Sequence, residues 1–362
     1  MRPPSVALMV AIIATAWMEV DCFLSGALPH SQTSQQGAGV AQCCDPAAGD
    51  RGCVRAKVAV QHGRGGGHDV HHPILRNSSP LRTSVRMTRS EGGRRPKVVL
   101  VTGGNRGLGR ALAWELAREG LQVWVAARNR GEGEAAAREM RDEGLDVESV
   151  QLDVGCDASV GGVAEQCLDG RLPVPDLLIS NAGVCLEGSD RSIFDHAMQV
   201  NFFGALRMIR ALAPAMRRKG GCVVNISSGE GELVYLCSRL QELLPSIESV
   251  DELCRVMEAC IDDAEGGEEL AFGPTPSYSV SKAGLNALTR ILACSTRGSP
   301  HDHTLGVRAV CPGDVDTAMC TLDEKDGVLS PEQAAIDVVW VALHPEECAN
   351  GGFFRHRDSI PW

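Results

Sequence analysis

From Lys97 onward, short apolar runs alternate with longer stretches in which apolar positions recur every three or four residues. Lys97-Val98-Val99-Leu100-Val101 is rich in valine and stops at Thr102-Gly103-Gly104. A run of that length and composition predicts a strand buried on both faces of a parallel sheet. Leu108, Ala111, Leu112, Glu115 and Leu116 then follow a helical spacing, and Gly120 is placed to stop the helix. The alternation continues with a strand over Leu121–Ala126 and a polar helix over Glu132–Glu143, closed by Gly144. Further strands are expected over Val147–Leu152, Leu177–Ser180, Cys222–Ile226 and Val307–Cys311, with a helix over Phe194–Met216. Strands separated by helices predict right-handed crossovers and a sheet covered on both faces, that is, an α/β fold of the Rossmann-type doubly wound kind. Ligands of such sheets lie at the carboxyl ends of the strands.

The chain before Lys97 has a different texture. Arg2 precedes the apolar run Ser5–Met18, which has the length of a signal-peptide core. It is shorter than the roughly 20 residues of a membrane span. Residues 1–24 therefore read as a signal-like segment. Residues 25–95 are rich in Ser, Gly, His, Gln and Arg and hold only four acids, Asp45, Asp50, Asp69 and Glu91. They show no sustained period, so they read as a disordered, basic leader or linker. An apolar core followed by a basic, acid-poor stretch resembles the two-part targeting leaders of plastids of secondary origin, and a plastid is the expected location. A secretory signal with a linker, or an anchor at the ER surface, stays open. One domain, 97–362, follows the leader.

Charge and cysteines remove other classes. The chain of 362 residues has a formal net charge of -11, which disfavours a nucleic-acid or anionic-membrane footprint for the folded part. Its fifteen cysteines show no C-x-x-C pair and no zinc spacing, so a reduced protein without a metal site is expected.

Gly103, Gly107 and Gly109 follow the first strand directly and open the first helix. That context suits a turn in which the backbone approaches a pyrophosphate and the helix offers unpaired N–H groups to it. Asn105, Arg106 and Leu108 lie between these glycines. The second strand ends in Ala126-Ala127-Arg128-Asn129. An acid there would take a ribose 2′-hydroxyl and repel a 2′-phosphate, whereas Arg128, with Arg106 as a second cation, can pair with the phosphate. NADP(H) is the expected cofactor. Tyr278 and Lys282 are four residues apart and so share one helical face. A phenol titrates near 10, and an ammonium beside it favours the phenolate and lowers that value.

Taken in order, these motifs resemble the short-chain dehydrogenase/reductase family. The cofactor turn is Thr102–Gly109. Asp153 follows the third strand, where the family has an acid that contacts adenine. Asn181-Ala182-Gly183 follows the fourth, and Asn201 lies on the next helix. Ser227 and Ser228 follow the fifth strand, then Tyr278-x-x-x-Lys282, then Pro312-Gly313 with Val315 and Thr317 beyond the sixth. The resemblance implies that these segments bind NADP(H) and that Tyr278 protonates a substrate carbonyl. It further implies that Ser228, the second of its pair, holds the same oxygen, that Lys282 bonds the nicotinamide ribose and that Asn201 organises a relay water.

Fifty residues separate Ser228 from Tyr278, and the extra segment, 230–275, is acidic. Ser249-Val250-Asp251-Glu252 is a capping-box signal, with Leu253, Val256, Met257, Cys260 and Ile261 at helical spacing behind it and Gly266-Gly267 at the end. A helical insertion at this place, Asn201-Phe202-Phe203-Gly204 and a chain ending in Trp362 resemble the carbonyl reductase branch. That branch includes monomeric carbonyl reductases and plant menthone- and alkaloid-type reductases, whose insertion covers a surface that dimerises in other members. The resemblance implies a monomer that reduces a small ketone or aldehyde with NADPH. The alternatives are a 3-oxoacyl-carrier-protein reductase, against which the long spacing argues, and a non-catalytic NADP-binding sensor, which would need no proton donor. Asp314 departs from the pattern, because relatives commonly carry an aromatic after the Pro-Gly. Cys311 beside it reads as a packed thiol.

Overall fold

In the computed structural model, which describes residues 98–295, 305–319 and 327–362, Val98–Thr102 forms strand β1, and its last four positions are buried. The expected signal-like segment 1–24 and leader 25–95 lie outside the described residues. The other strands are β2 (Gln122–Ala127), β3 (Val147–Gln151), β4 (Leu177–Ser180), β5 (Cys222–Ile226), β6 (Gly306–Cys311), β7 (Phe353–Arg355) and β8 (Asp358–Ile360). They form one sheet in the order β3-β2-β1-β4-β5-β6-β7-β8. Every pairing is parallel except the last, β7 with β8. This is the Rossmann-type doubly wound fold, and the strand order reverses between β1 and β4, where a crevice opens at the carboxyl ends. Central position explains the unbroken apolar run of β1. Edge strand β3 is buried only at Val147 and Val150 and exposes Glu148 and Gln151.

The helices, among the described residues, are α1 (Gly107–Arg118), α2 (Arg130–Asp142), α3 (Asp157–Leu168), α4 (Arg191–Ala197), α5 (Phe203–Arg217), α6 (Ser238–Ser246), α7 (Val250–Glu265), α8 (Pro276–Ser295) and α9 (Pro331–Leu343). α1, α2 and α9 bury Leu112, Leu116, Met140 and Val338 against one face of the sheet. α3, α5 and α8 cover the other with Val163, Leu212 and Leu288 among their buried residues, and α7 packs against α4 and α8. The helix expected over Phe194–Met216 is broken: α4 passes through a π turn, Met198–Phe202, before α5 begins.

Between Ser228 and Tyr278 the chain forms two short 3-10 turns, Gly229–Gly231 and Leu233–Tyr235, and then α6 and α7. Ser249 starts α7 by accepting a hydrogen bond from the Glu252 N–H at 3.2 Å. Val250, Leu253, Met257, Cys260 and Ile261 are buried along one side of it. They face α8, and Gly284 of α8 makes the approach possible: a Cβ there would stand 2.5 Å from the Met257 sulfur.

Candidate active site

The cofactor turn begins where β1 ends. Gly103 and Gly107 hold left-handed φ values of +64° and +52°, which favour glycine. Gly109 is needed for a different reason. A Cβ at Gly109 would lie 2.2 Å from the Gly103 carbonyl oxygen and 2.4 Å from Asn181 Nδ2, so the glycine lets the helix close onto its own turn. Approach to a pyrophosphate is thus not the whole explanation offered by the spacing. Arg106 sits at the N-cap of α1 without a side-chain cap bond, which leaves the first N–H groups of the helix uncapped by it. Leu108 is half-buried behind it. Asn181 Nδ2 donates to the Thr102 carbonyl at 2.9 Å and the Gly103 carbonyl at 3.3 Å, and the Asn181 and Ala182 N–H groups donate to Thr102 Oγ1. These bonds join the ends of β1 and β4, so Asn181 shapes the turn from behind.

Arg128 is exposed at the end of β2, as is Arg106 in the turn. Asn105 Nδ2 donates to Glu132 Oε2 at 2.8 Å, which brings an acid from α2 close to the turn. Asp153 Oδ1 accepts from the Gly155 N–H at 2.9 Å. Beyond β6, Pro312 and Gly313 are half-buried, Gly313 with φ +80°. Val315 bridges to Leu329. Thr317 Cγ2 lies 3.3 Å from where a Cβ on Gly107 would be, so this loop returns to the cofactor turn. Asp314 is exposed. Cys311 is buried and hydrogen-bonded to Arg355. No cluster of His, Cys, Asp or Glu suited to a metal occurs among the described residues.

At the reacting end, α8 carries Tyr278 and Lys282 on one face. The Lys282 ammonium donates to the Ile226 carbonyl at 2.8 Å and lies 5.3 Å from the centre of the Tyr278 ring. The Ser228 and Tyr278 side chains are hydrogen-bonded to each other. Ser227 is turned away: it is 1% exposed, its N–H donates to the Val310 carbonyl at 2.7 Å, and its hydroxyl faces the Lys282 carbonyl at 3.5 Å. Only Ser228 of the pair therefore reaches the phenol. Asn201 accepts from the Val184 N–H and donates to the Val184 carbonyl, both at 2.8 Å, and donates to Ser281 Oγ at 2.9 Å. It ties the segment after β4 to α8. Gly183 lies between them, since a Cβ there would be 3.2 Å from Asn201 Oδ1 and 3.6 Å from Lys282 Nζ.

The electrostatics differ from expectation. Burial pushes the Tyr278 phenol well above its ordinary value, and the Cys185, Glu230 and Cys311 side chains push it further; the Ser228 hydrogen bond opposes them. Desolvation of the phenol, the largest cause, outweighs the lowering expected from Lys282. Burial lowers Lys282 to about 8. Cys185, on the loop after Gly183, is raised to about 11 by burial and by Glu230.

Sequence reasoning missed Glu230 and Arg355. Glu230 Oε2 accepts from Thr275 Oγ1 at 2.8 Å and from Ser279 Oγ at 3.0 Å. Arg355, at the carboxyl end of β7, bonds the Glu232 carboxylate and packs on Gly229, where a Cβ would be 2.8 Å from its guanidinium. No local pattern marks either residue, because their partners lie far along the chain.

The short chain dehydrogenase family pattern matches residues 97–238. Mouse carbonyl reductase (NADPH) 1 is 31% identical over 278 residues, covering 73% of this chain and 98% of its own. Arabidopsis thaliana (+)-neomenthol dehydrogenase is 30% identical over 301 residues, covering 73% and 97%. Among solved structures, salutaridine reductase from Papaver somniferum superposes with a TM-score of 0.62 at 24% identity, covering 71% of this chain and 99% of its own. The chain belongs to the short-chain dehydrogenase/reductase family, in its carbonyl reductase-like branch.

Proposed function

We propose that this chain reduces a ketone or aldehyde carbonyl to an alcohol with NADPH, and that Tyr278 supplies the proton. The observation that carries the reading is the joining of the Ser228 and Tyr278 hydroxyls at the strand ends, with Lys282 beside the phenol. The similarity to carbonyl reductase (NADPH) 1 supports the activity and the cofactor. The glycine turn, the N-terminus of α1 and the exposed Arg128 suit the phosphates of NADPH. When bound, NADPH supplies a hydride to the carbonyl carbon.

The residues of the chain do the remaining work. The Ser228 and Tyr278 hydroxyls donate to the carbonyl oxygen and stabilise the charge that develops on it. A phenol whose pKa burial has raised holds its proton at neutral pH, which suits it to protonate the oxygen as the alcohol forms. Lys282, fixed by the Ile226 carbonyl, places a positive charge next to the phenol as it loses the proton. The conversion of Tyr278→Phe is expected to abolish NADPH-linked carbonyl reduction while NADPH still binds; undiminished turnover would refute the assignment.

A 3-oxoacyl-carrier-protein reductase and a non-catalytic sensor are less favoured, the first by the fifty-residue spacing and the second by the intact Tyr278–Lys282 pair. A monomer is proposed from the insertion, and a stable tetramer on gel filtration would overturn it. Plastid targeting is proposed from residues 1–95 alone; a mature protein beginning at Met1 would rule it out.

A further inference from the structure

Glu230 lies two residues past Ser228, inside the turn Gly229–Gly231. Its own N–H donates to Ser228 Oγ at 3.2 Å. Its side chain reaches across to α8, where Thr275, just before the helix, and Ser279, next to Tyr278, both donate to Oε2 at 2.8 and 3.0 Å. One residue therefore touches Ser228 through its main chain and the Tyr278 segment through its carboxylate. Gly231 continues the attachment. Its carbonyl accepts from Asn286 Nδ2 at 3.1 Å, and a Cβ there would stand 3.0 Å from Lys282 Cβ, so the turn lies flat on the helix. On the far side, Arg355 joins Glu232 and covers Gly229.

We propose that Glu230 is a positioning residue: its carboxylate fastens the turn that carries Ser228 to the first turn of α8 and so fixes the relation between the two hydroxyls that receive the carbonyl oxygen. The proposal rests on the assignment of Ser228 and Tyr278 to that oxygen. The acceptor has to be polar. Thr275 is 7% and Ser279 1% exposed, and an apolar side chain at 230 would take away the acceptor that both hydroxyls share. Ser279 also reaches the Thr275 carbonyl at 3.3 Å, and Thr275 is also hydrogen-bonded to the Cys185 side chain. The same carboxylate opposes loss of the phenol proton, while Ser228 favours it and Lys282 stands beside the ring. Glu230 thus sets both a distance and a charge at Tyr278.

Three variants test this in the full chain. In Glu230→Ala, kcat for carbonyl reduction is expected to fall on the order of ten- to a hundred-fold, as misplacement of a reacting group does. KM for the carbonyl and the NADPH dissociation constant, read from NADPH fluorescence, are expected to stay within about two-fold. Glu230→Gln should recover most of kcat, because an amide oxygen accepts the same two bonds. Its alcohol-oxidation profile should move to lower pH, because the charge that opposed the phenolate is gone. Thr275→Val combined with Ser279→Ala should reproduce the loss of kcat with the carboxylate still present. Wild-type kcat in Glu230→Ala, equal losses in the Ala and Gln variants, or losses that track melting temperature or NADPH affinity would each overturn the proposal. Tyr278→Phe separates the two assignments: if it stays active, the reading of the site fails, whereas an inactive Tyr278→Phe beside a fully active Glu230→Ala removes Glu230 alone.

Discussion

Gly109→Ala separates two reasons for a glycine in the cofactor turn. If the residue served only the approach of a pyrophosphate, alanine would weaken NADPH binding and leave the free protein as stable as before. The structure gives a different answer. The added Cβ would sit 2.2 Å from the Gly103 carbonyl oxygen and 2.4 Å from Asn181 Nδ2, and the first of these is backbone that cannot swing aside. Relieving the overlap means separating α1 from its own turn, at about 1–3 kcal/mol for overpacking. It also strains the Asn181 bonds to the Thr102 and Gly103 carbonyls, worth roughly 0.5–1.5 kcal/mol each. The better helix propensity of alanine returns about 1 kcal/mol. The net is a destabilisation of about 1–5 kcal/mol, or a fall in Tm of roughly 2–10 °C for a domain of this size. Gly161→Ala is the control. Gly161 lies inside α3 with nothing within 4 Å of its Cβ position, so alanine there should stabilise by about 0.5–1 kcal/mol. The assay is thermal unfolding of both variants without and with saturating NADPH. An unchanged Tm for cofactor-free Gly109→Ala would refute the packing argument.

Two further outcomes follow from the charges. Arg128→Asp should lower the ratio of kcat/KM for NADPH over NADH by roughly ten- to a hundred-fold, the value of a charge-assisted hydrogen bond of about 1.5–3 kcal/mol; an unchanged ratio would mean that Arg128 does not meet the 2′-phosphate. For pH, the Tyr278 phenol is raised and keeps its proton, whereas Lys282 is lowered to about 8 and loses its charge as pH rises through that value. The kcat/KM for NADPH, which reports the free enzyme, should therefore be flat at neutral pH and fall on a limb near 8. A profile flat to about pH 9.5 would show that the Lys282 charge is not needed.

The parts of the site that the sequence displays are those built from neighbours in the chain. The strand, glycine turn and helix over 98–118 form one local unit, and Tyr278 and Lys282 are one helical turn apart. The Ser228 turn is different. Glu230 meets Thr275 and Ser279 only after α6 and α7 have folded between them, and no spacing rule spans such a gap. The same limit explains the phenol. A lysine four residues away is visible in the sequence, but burial and the approach of Cys185, Glu230 and Cys311 from other elements are not. The π turn at Asn201 lies inside a continuous apolar pattern and leaves no mark in it. Strands β7 and β8 have only three residues each, too few to show a period. Helix α9, which the sequence analysis did not assign, starts from a capping box of Ser330 and Gln333 with proline at the first helical position.

Helix α8 explains why the insertion matters to chemistry that it does not perform. Nearly every residue from Pro276 to Ala293 is buried, including Ser277, Ser279, Ser281, Ala283, Gly284 and Ala287. Small side chains on a helix bring neighbouring elements close to its backbone and leave little room for it to shift. One side is held by Lys282 on the Ile226 carbonyl and Asn286 on the Gly231 carbonyl. Another side meets α7, whose Met257 fits over Gly284, two residues past Lys282. Arg290, near the far end, reaches back to the Leu244 and Ile247 carbonyls at the end of α6. The insertion therefore buries the apolar surface of the helix that carries Tyr278 and Lys282 with side chains of the same chain. A second copy is not required to cover it, and this is the physical support for the proposed monomer. The same packing makes α7 part of what holds the phenol in place. Loosening α7 would be felt at Tyr278 through α8.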